Sequence, residues 1–251
     1  MLTAQRKALL LERLRVDGRL VAKEVAAELD LSEDSIRRDL RELAAAGLCQ
    51  RVYGGALPAS PAVADYQARQ QVEPDSKRRV AARAAQLIEP GMSIILDGGT
   101  TALALVGALP ETLACTVITH SPTIATALVA HPVIEVLILG GRLYKHSAVA
   151  CGAAAVEAAQ AYNADLFFLG VTGVHPQAGL TTGDAEEAAM KRALAARAAD
   201  TWALASVEKM GAASPYLVLP TTRVTGIITD SPRTSPIVTE LLDQAVVVHT
   251  T

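Results

Sequence analysis

Aromatic residues make up only 3% of the 251-residue chain, so alanine and aliphatic side chains must fill its core. Cysteine is nearly absent. Cys49, Cys115 and Cys151 are far apart and odd in number, which excludes a disulfide framework or CxxC metal spacing and fits a reducing cytoplasm. The histidines, His120, His131, His146, His175 and His249, show neither HxH nor HExxH spacing, so no metal is expected. No GxxxxGKS/T loop occurs and no GxGxxG follows a candidate strand, which disfavours ATP and NAD and leaves no cofactor expected. No apolar run approaches the roughly 20 residues of a membrane helix. The opening stretch, MLTAQRKALLLERLRVDGRL, is broken by charges every few positions and does not read as a signal peptide. Excess positive charge is missing too, since the net charge is −3. Residues 1–57 hold 10 Lys/Arg against 9 Asp/Glu, a balance of +1, and the remainder holds 13 against 17, a balance of −4. Any nucleic-acid face must therefore be a local patch.

An apolar fraction of 51% and a charged fraction of 20% suit a soluble globular protein with a large core. Residues 1–57 carry three helical patterns. The first runs from about Thr3 to Val16 and ends at Asp17–Gly18. The second, about Val21 to Leu29, places Val21, Val25 and Leu29 on one stripe. The third follows Ser32, whose hydroxyl can cap the helix, and Glu33 and Asp34 suit its positive end. Ile36, Leu40 and Leu43 lie within about 60° of one another on a helical wheel. Arg38 and Arg41 then project from the opposite face, with Arg37 on its flank and Gly47 closing the helix. Helix, short turn, helix is the geometry that lays a second helix in the major groove of DNA. The stretch LCQRVYGGALP reads as a hairpin wing presenting Arg51 and Tyr53. Taken alone, an arginine-bearing helix is most simply a solvated face. The helix pair, the tight turn and the glycine-bearing wing together favour DNA, whose guanines and phosphates suit the arginine fork.

Pro58, Pro61 and Pro74 mark residues 58–74 as an interdomain connector, with a short helix around Tyr66–Gln70. The connector is either a plain tether or an element that moves with effector state. From about Asp75 to residue 251, apolar β-branched runs alternate with alanine-rich helical stretches. Strands are expected at 92–97, 115–120, 133–140, 165–170, 201–206, 224–230 and 245–250. Helices are expected near 76–88, 101–108, 122–130, 148–161, 184–199 and 234–243. Runs apolar on both faces, separated by helices, predict an α/β domain with a mostly parallel sheet covered on both sides. Ligands in such domains sit at the carboxyl ends of the strands.

Polar residues collect in those loops. In DGGTT, Gly98 and Gly99 let backbone approach a ligand, and Thr100 and Thr101 add hydroxyls at a helix amino end, where an anion is favoured. Asp97 could accept bonds from sugar hydroxyls or simply hold the loop. His120 in THS, Arg142 in GGR and Lys209 in ASVEKMG follow other strands. Glu187 and Lys191 lie near a helix start in GLTTGDAEEAAMKR, and their spacing is equally that of a helix-surface ion pair.

The run VAAELDLSEDSIRRDLRELAAAGLCQRVYGGA resembles the winged helix-turn-helix signature of the DeoR family of bacterial transcriptional regulators. Ser35 stands where threonine is commoner and Tyr53 where histidine is commoner. The resemblance continues through DGGTT, similar to the family's DSGTT with Gly98 in place of serine, and through GLTT, EEAAMKR and EKMG. It implies a carboxyl-terminal domain like that of sugar-phosphate isomerases and CoA transferases, sensing a phosphorylated sugar or similar small anionic metabolite. The family often reads ADxSK where this chain reads ASVEK, placing Ser206 at the aspartate position.

A repressor is therefore expected. It would act as a homo-oligomer, binding double-stranded operator DNA through Ser32, Ser35, Arg37, Arg38, Arg41, Arg51 and Tyr53. Its phosphorylated effector would lie among Asp97, Gly98, Gly99, Thr100, Thr101, His120, Arg142, Glu187, Lys191 and Lys209, and no catalytic residue is required. The alternative is a sugar-phosphate isomerase using Glu187 or Asp97 as base beside Lys209. An adaptor whose arginine helix binds protein is a third reading.

Overall fold

The structure, a computed structural model, describes residues 2–60 and 66–251. Residues 61–65 of the expected connector lie outside the described residues. The amino-terminal module forms as its periodicity predicts. Helix α1 (Thr3–Asp17) ends where Gly18 turns left-handed. Strand β1 (Leu20–Val21), which the sequence pattern did not suggest, precedes α2 (Ala22–Glu28) and α3 (Glu33–Ala45). Strands β2 (Cys49–Val52) and β3 (Gly55–Pro58) make the wing, and β1 pairs antiparallel with β3 to complete a three-stranded sheet. Ile36, Leu40 and Leu43 of α3 join Leu10, Leu14, Val25 and Leu20 in one core. A buried ion pair, Arg6 to Asp39, ties α1 to α3.

Past the connector helix α4 (Tyr66–Gln71) the chain alternates. It runs α5 (Pro74–Ala85), β4 (Ser93–Leu96), α6 (Thr100–Val106), β5 (Thr116–Thr119), α7 (Pro122–Leu128) and β6 (Glu135–Ile138). A hairpin of β7 (Arg142–Tyr144) and β8 (Val149–Cys151) follows, then α8 (Ala153–Ala159) and β9 (Ala164–Gly170). Next come β10 (Gly173–His175), β11 (Gly179–Thr182), α9 (Ala185–Ala195) and β12 (Ala198–Ala205). A 3₁₀ turn (Val207–Lys209), β13 (Tyr216–Leu219), β14 (Gly226–Thr229), α10 (Pro236–Asp243) and β15 (Val248–Thr250) complete the described chain.

The seven strands expected from sequence form one sheet in the order β15-β14-β12-β9-β4-β5-β6, and every neighbouring pair is parallel. Side chains alternate across it. Ile94, Leu96 and Phe168 face α5, α6 and α7, whereas Ile95, Phe167 and Leu169 face α8, α9 and α10. The chain's two phenylalanines thus anchor the two cores. Three expectations need correction. The helix expected at 148–161 starts at Ala153, because Val149–Cys151 pairs with β7. The helix expected to reach residue 199 stops at Ala195, because β12 takes Ala198 onward. GLTT is a strand, β11, not a loop, and sits between β10 and β13 in a small antiparallel sheet.

Chain order along the large sheet reverses between β4 and β9. Later strands extend one way and β5 and β6 the other. A crevice at the carboxyl ends of strands opens at such a switch point. The wing's last strand continues toward it. Pro58 O accepts from Ala213 N at 3.3 Å, Ala59 bridges to Ala213, and the Ser60 hydroxyl donates to Thr172 O.

Candidate functional site

The crevice holds a small cavity of about 30 Å³, lined by the Gly98–Ala102 loop after β4 and the Gly170–Thr172 loop after β9. Gly99 sits at φ 107°, a conformation that strongly favours glycine. Gly98 stands where an added Cβ would come within 2.1 Å of Val149 Cγ1. That contact is a physical reason for this chain to carry glycine where the related pattern has serine.

Three lysines converge here, and each is buried. Lys191 is neutralised. Its ammonium donates to Asp97 Oδ2 at 2.5 Å and to Gly170 O at 3.0 Å, with Glu187 at 3.5 Å. Burial disfavours its charge, but Asp97 and Glu187 outweigh that and hold its pKa above the ordinary lysine value. Lys209, on the 3₁₀ turn, donates to Thr101 Oγ1 at 2.9 Å and forms no ion pair among the described residues. Burial pushes its pKa down to about 8, with Lys77, Arg69 and Lys191 adding repulsion and Glu208 opposing. Lys77, on α5, also lacks a carboxylate partner among the described residues. It donates to the carbonyls of Arg69 and Val72 at the end of α4, and burial lowers its pKa as well. Arg69 lines the same cavity and donates to His146 O at 2.6 Å.

Two carboxylates face this cationic wall differently. Glu187 accepts from the Thr182 hydroxyl at 2.5 Å and sits beside Lys191. Glu208 accepts from Ser206 Oγ at 2.7 Å through Oε1, while its buried Oε2 has no hydrogen-bond partner. The turn carrying Glu208 and Lys209 is held by Asp230, which accepts from Val207 N at 3.0 Å and from Ser76 Oγ at 2.6 Å.

Of the expected effector residues, Gly98, Gly99, Thr100, Thr101, Glu187, Lys191 and Lys209 line the cavity. The other three do not. Asp97 is fully buried beneath the loop. It accepts from Gly98 N, Gly170 N, His120 Nε2 and Lys191 Nζ, which fixes β4, β9 and α9 together. Burial alone would raise its pKa, but the Lys191 charge and the His120 bond hold it well below the ordinary carboxylate range. His120 is fully buried between Asp97 Oδ1 and Ala150 O, each at 2.8 Å. It therefore positions Asp97 and offers no nitrogen to a ligand. Arg142 is exposed and pairs with Glu186 instead. The Glu187–Lys191 pair, which sequence alone left open as a surface pair, is buried. Sequence reasoning missed Lys77, Arg69 and Glu208. Lys77 could have been found, because it shares a helical stripe with Val80, Ala81 and Ala84, where a lysine is out of place.

On the amino-terminal module, Ser32 caps α3 by accepting from Ser35 N at 3.3 Å, and the two hydroxyls meet at 2.9 Å. Arg37 turns back to Glu33 at 2.6 Å, an exposed pair one helical turn apart. Arg38, Arg41 and Arg51 are exposed and have no partner among the described residues. Tyr53 stands fully exposed at the wing's tip.

A winged helix-turn-helix joined to a parallel α/β domain with a cationic switch-point cavity defines a DNA-binding regulator with a sensor domain. The chain belongs to the DeoR family. The DeoR-like helix-turn-helix domain matches residues 6–61, and the DeoR C terminal sensor domain matches residues 72–231. It is 33% identical to the HTH-type transcriptional regulator GlpR of Haloferax volcanii, over 84% of this chain and 83% of that one. It is 30% identical to the HTH-type transcriptional repressor GlcR of Bacillus subtilis, over 90% and 88%. It is 26% identical to the glycerol-3-phosphate regulon repressor of Escherichia coli K12, over 91% of each chain.

Proposed function

We propose that this protein is a transcriptional repressor whose grip on operator DNA is set by a phosphorylated sugar, or a similar small anionic metabolite, bound at the switch-point cavity. One observation carries the effector reading: Lys77 and Lys209 are buried beside the Gly99–Thr101 loop and form no ion pair among the described residues, with Glu208 opposing their desolvation only through its nearby charge. Buried charge is costly unless paired, and a phosphate supplies both the pairing and the acceptors. The exposed Arg38, Arg41 and Arg51 supply a local cationic face on a chain of net charge −3, which supports DNA as the partner. A homo-oligomer matches the two-fold symmetry of operators read by this motif, and a cytoplasmic setting fits three free, buried cysteines.

The protein acts by binding and needs no turnover. Asp97, one candidate base for an isomerase, already accepts four hydrogen bonds and holds its proton weakly. Glu187, the other, is engaged by Thr182 and Lys191. Neither is poised to remove a proton.

A thermal-shift series with inorganic phosphate, sugar phosphates and the matching unphosphorylated sugars tests the effector reading. Phosphorylated compounds are expected to raise the melting temperature by mass action, by about 2.7 kcal/mol of stability at a hundred times Kd. No response to any phosphorylated compound would contradict it.

A further inference from the structure

A second cavity adjoins the first. It has a volume of about 230 Å³ and shares Ser147, Thr172 and Glu187 with the smaller one as common wall. Its far side belongs to the DNA-binding module: Ala44 near the end of α3, Gly47, and Cys49 and Gln50 of the wing. Its floor carries Tyr144 and His146, with ring centroids 5.8 Å apart and planes at 26°. The Tyr144 hydroxyl makes no hydrogen bond among the described residues.

The chemistry of the two cavities differs. The wall of the small one carries four cations, Arg69, Lys77, Lys191 and Lys209, beside the carboxylates Glu187 and Glu208. The large one carries no lysine or arginine among its described lining residues, and its one acidic side chain is Glu187. Neutral polar groups from Gln50, Tyr144, His146, Ser147 and Thr172 alternate with alanine, glycine and proline on its wall, and Ser60 and Ser214, which also line it, are already bonded to Thr172. Neutral hydrogen-bonding groups beside the Tyr144 ring suit a neutral polyol, whose C–H faces lie on rings and whose hydroxyls find acceptors and donors. They offer a second anion no counter-charge, since no lysine or arginine is among the described lining residues.

Resting on the anion site proposed above, we infer that the two cavities are one two-lobed site. Its ligand is a phosphate monoester of a neutral sugar long enough to leave the small lobe, with the carbon end lying in the large lobe against Tyr144. The distal end then touches the recognition helix's carboxyl end and the wing directly. Short phosphate esters fill the anion lobe only. Esters whose distal end is a carboxylate or a second phosphate find no lysine or arginine among the large lobe's described lining residues and bind more weakly.

Gly183 provides the test. It lines the large lobe only, and a Cβ built there meets no atom within 4 Å. Calorimetric titration of the full-length protein with glucose 6-phosphate, 6-phosphogluconate, glycerol 3-phosphate and inorganic phosphate is expected to give tenfold or tighter binding of glucose 6-phosphate over the other three. Gly183→Leu should erase that preference while leaving inorganic phosphate unchanged. Tyr144→Ala should weaken glucose 6-phosphate alone, and serves also if the leucine variant fails to fold. Equal affinity for the long and short esters in the unmodified protein, tight binding of 6-phosphogluconate, or a preference that survives both substitutions would overturn the two-lobed site. Loss of all phosphate binding, inorganic phosphate included, would instead remove the anion site itself and the inference with it.

Discussion

Lys209 is the residue on which the effector proposal turns most sharply. Its ammonium is buried, bonded among the described residues only to the Thr101 hydroxyl, and its pKa is pushed down to about 8 by burial first. A protonated Lys209 attracts an anion and a neutral one does not, so affinity for a phosphate monoester should fall as pH rises through about 8. The ester's own second pKa is about 6, so the ligand's charge stays constant over that range and the fall belongs to the protein. Lys209→Arg, which stays charged, should flatten the profile, and Lys209→Met should cost on the order of tenfold or more at neutral pH. Titrations at several pH values read this, and a flat profile in the unmodified protein would count against Lys209 as an anion contact. On the DNA side, Arg38 is exposed and its side chain has no partner among the described residues, whereas Arg37 is tied to Glu33. Arg38→Ala should therefore weaken operator binding by about 1–3 kcal/mol if it reads a base. Arg37→Ala should matter less. Equal losses for the two in a mobility-shift titration would show that the Glu33 pair breaks on DNA.

At the scale of elements, helix α4 is where binding of an anion should register first. Its Arg69 lines the smaller cavity, and Lys77 holds the carbonyls of Arg69 and Val72. A bound phosphate competes for the Lys77 ammonium. Hydrogen exchange in residues 66–72 should therefore quicken when a phosphorylated sugar binds, and should already be quick in Lys77→Met without ligand. Slower or unchanged exchange on binding would mean that α4 clamps the ligand instead of releasing. Much of this architecture is legible in the sequence. The Ile36, Leu40 and Leu43 stripe and the seven apolar runs announce the helix-turn-helix and the parallel sheet, because periodicity reports burial directly. The short antiparallel strands β7, β8, β10, β11 and β13 are not legible. They are three or four residues long and held by pairing with distant segments, β8, β10 and β11 buried and β7 and β13 largely exposed, so no local period marks them. The site was legible as a set of loops. The division of labour within it was not: Asp97 and His120 form a buried brace, and only three-dimensional neighbours reveal that.

Across the whole molecule, the sensor and the reading head share a wall. The chain passes from the wing through Ala59 and Ser60 onto Ala213 and Thr172, and Thr172 lines both lobes. A ligand that bears on Thr172 therefore bears on the segment that leads from the wing, and a coupling of about 1–3 kcal/mol, or 5–150-fold in affinity, is typical of such linkage. The most direct test is one titration: fluorescently labelled DNA from the control region beside the gene, with and without a saturating phosphorylated sugar already shown to bind. The affinity for DNA is predicted to change at least fivefold, and Lys209→Met is predicted to remove the change while keeping the ligand-free affinity. An operator affinity that stays the same with the sugar phosphate bound would contradict the account.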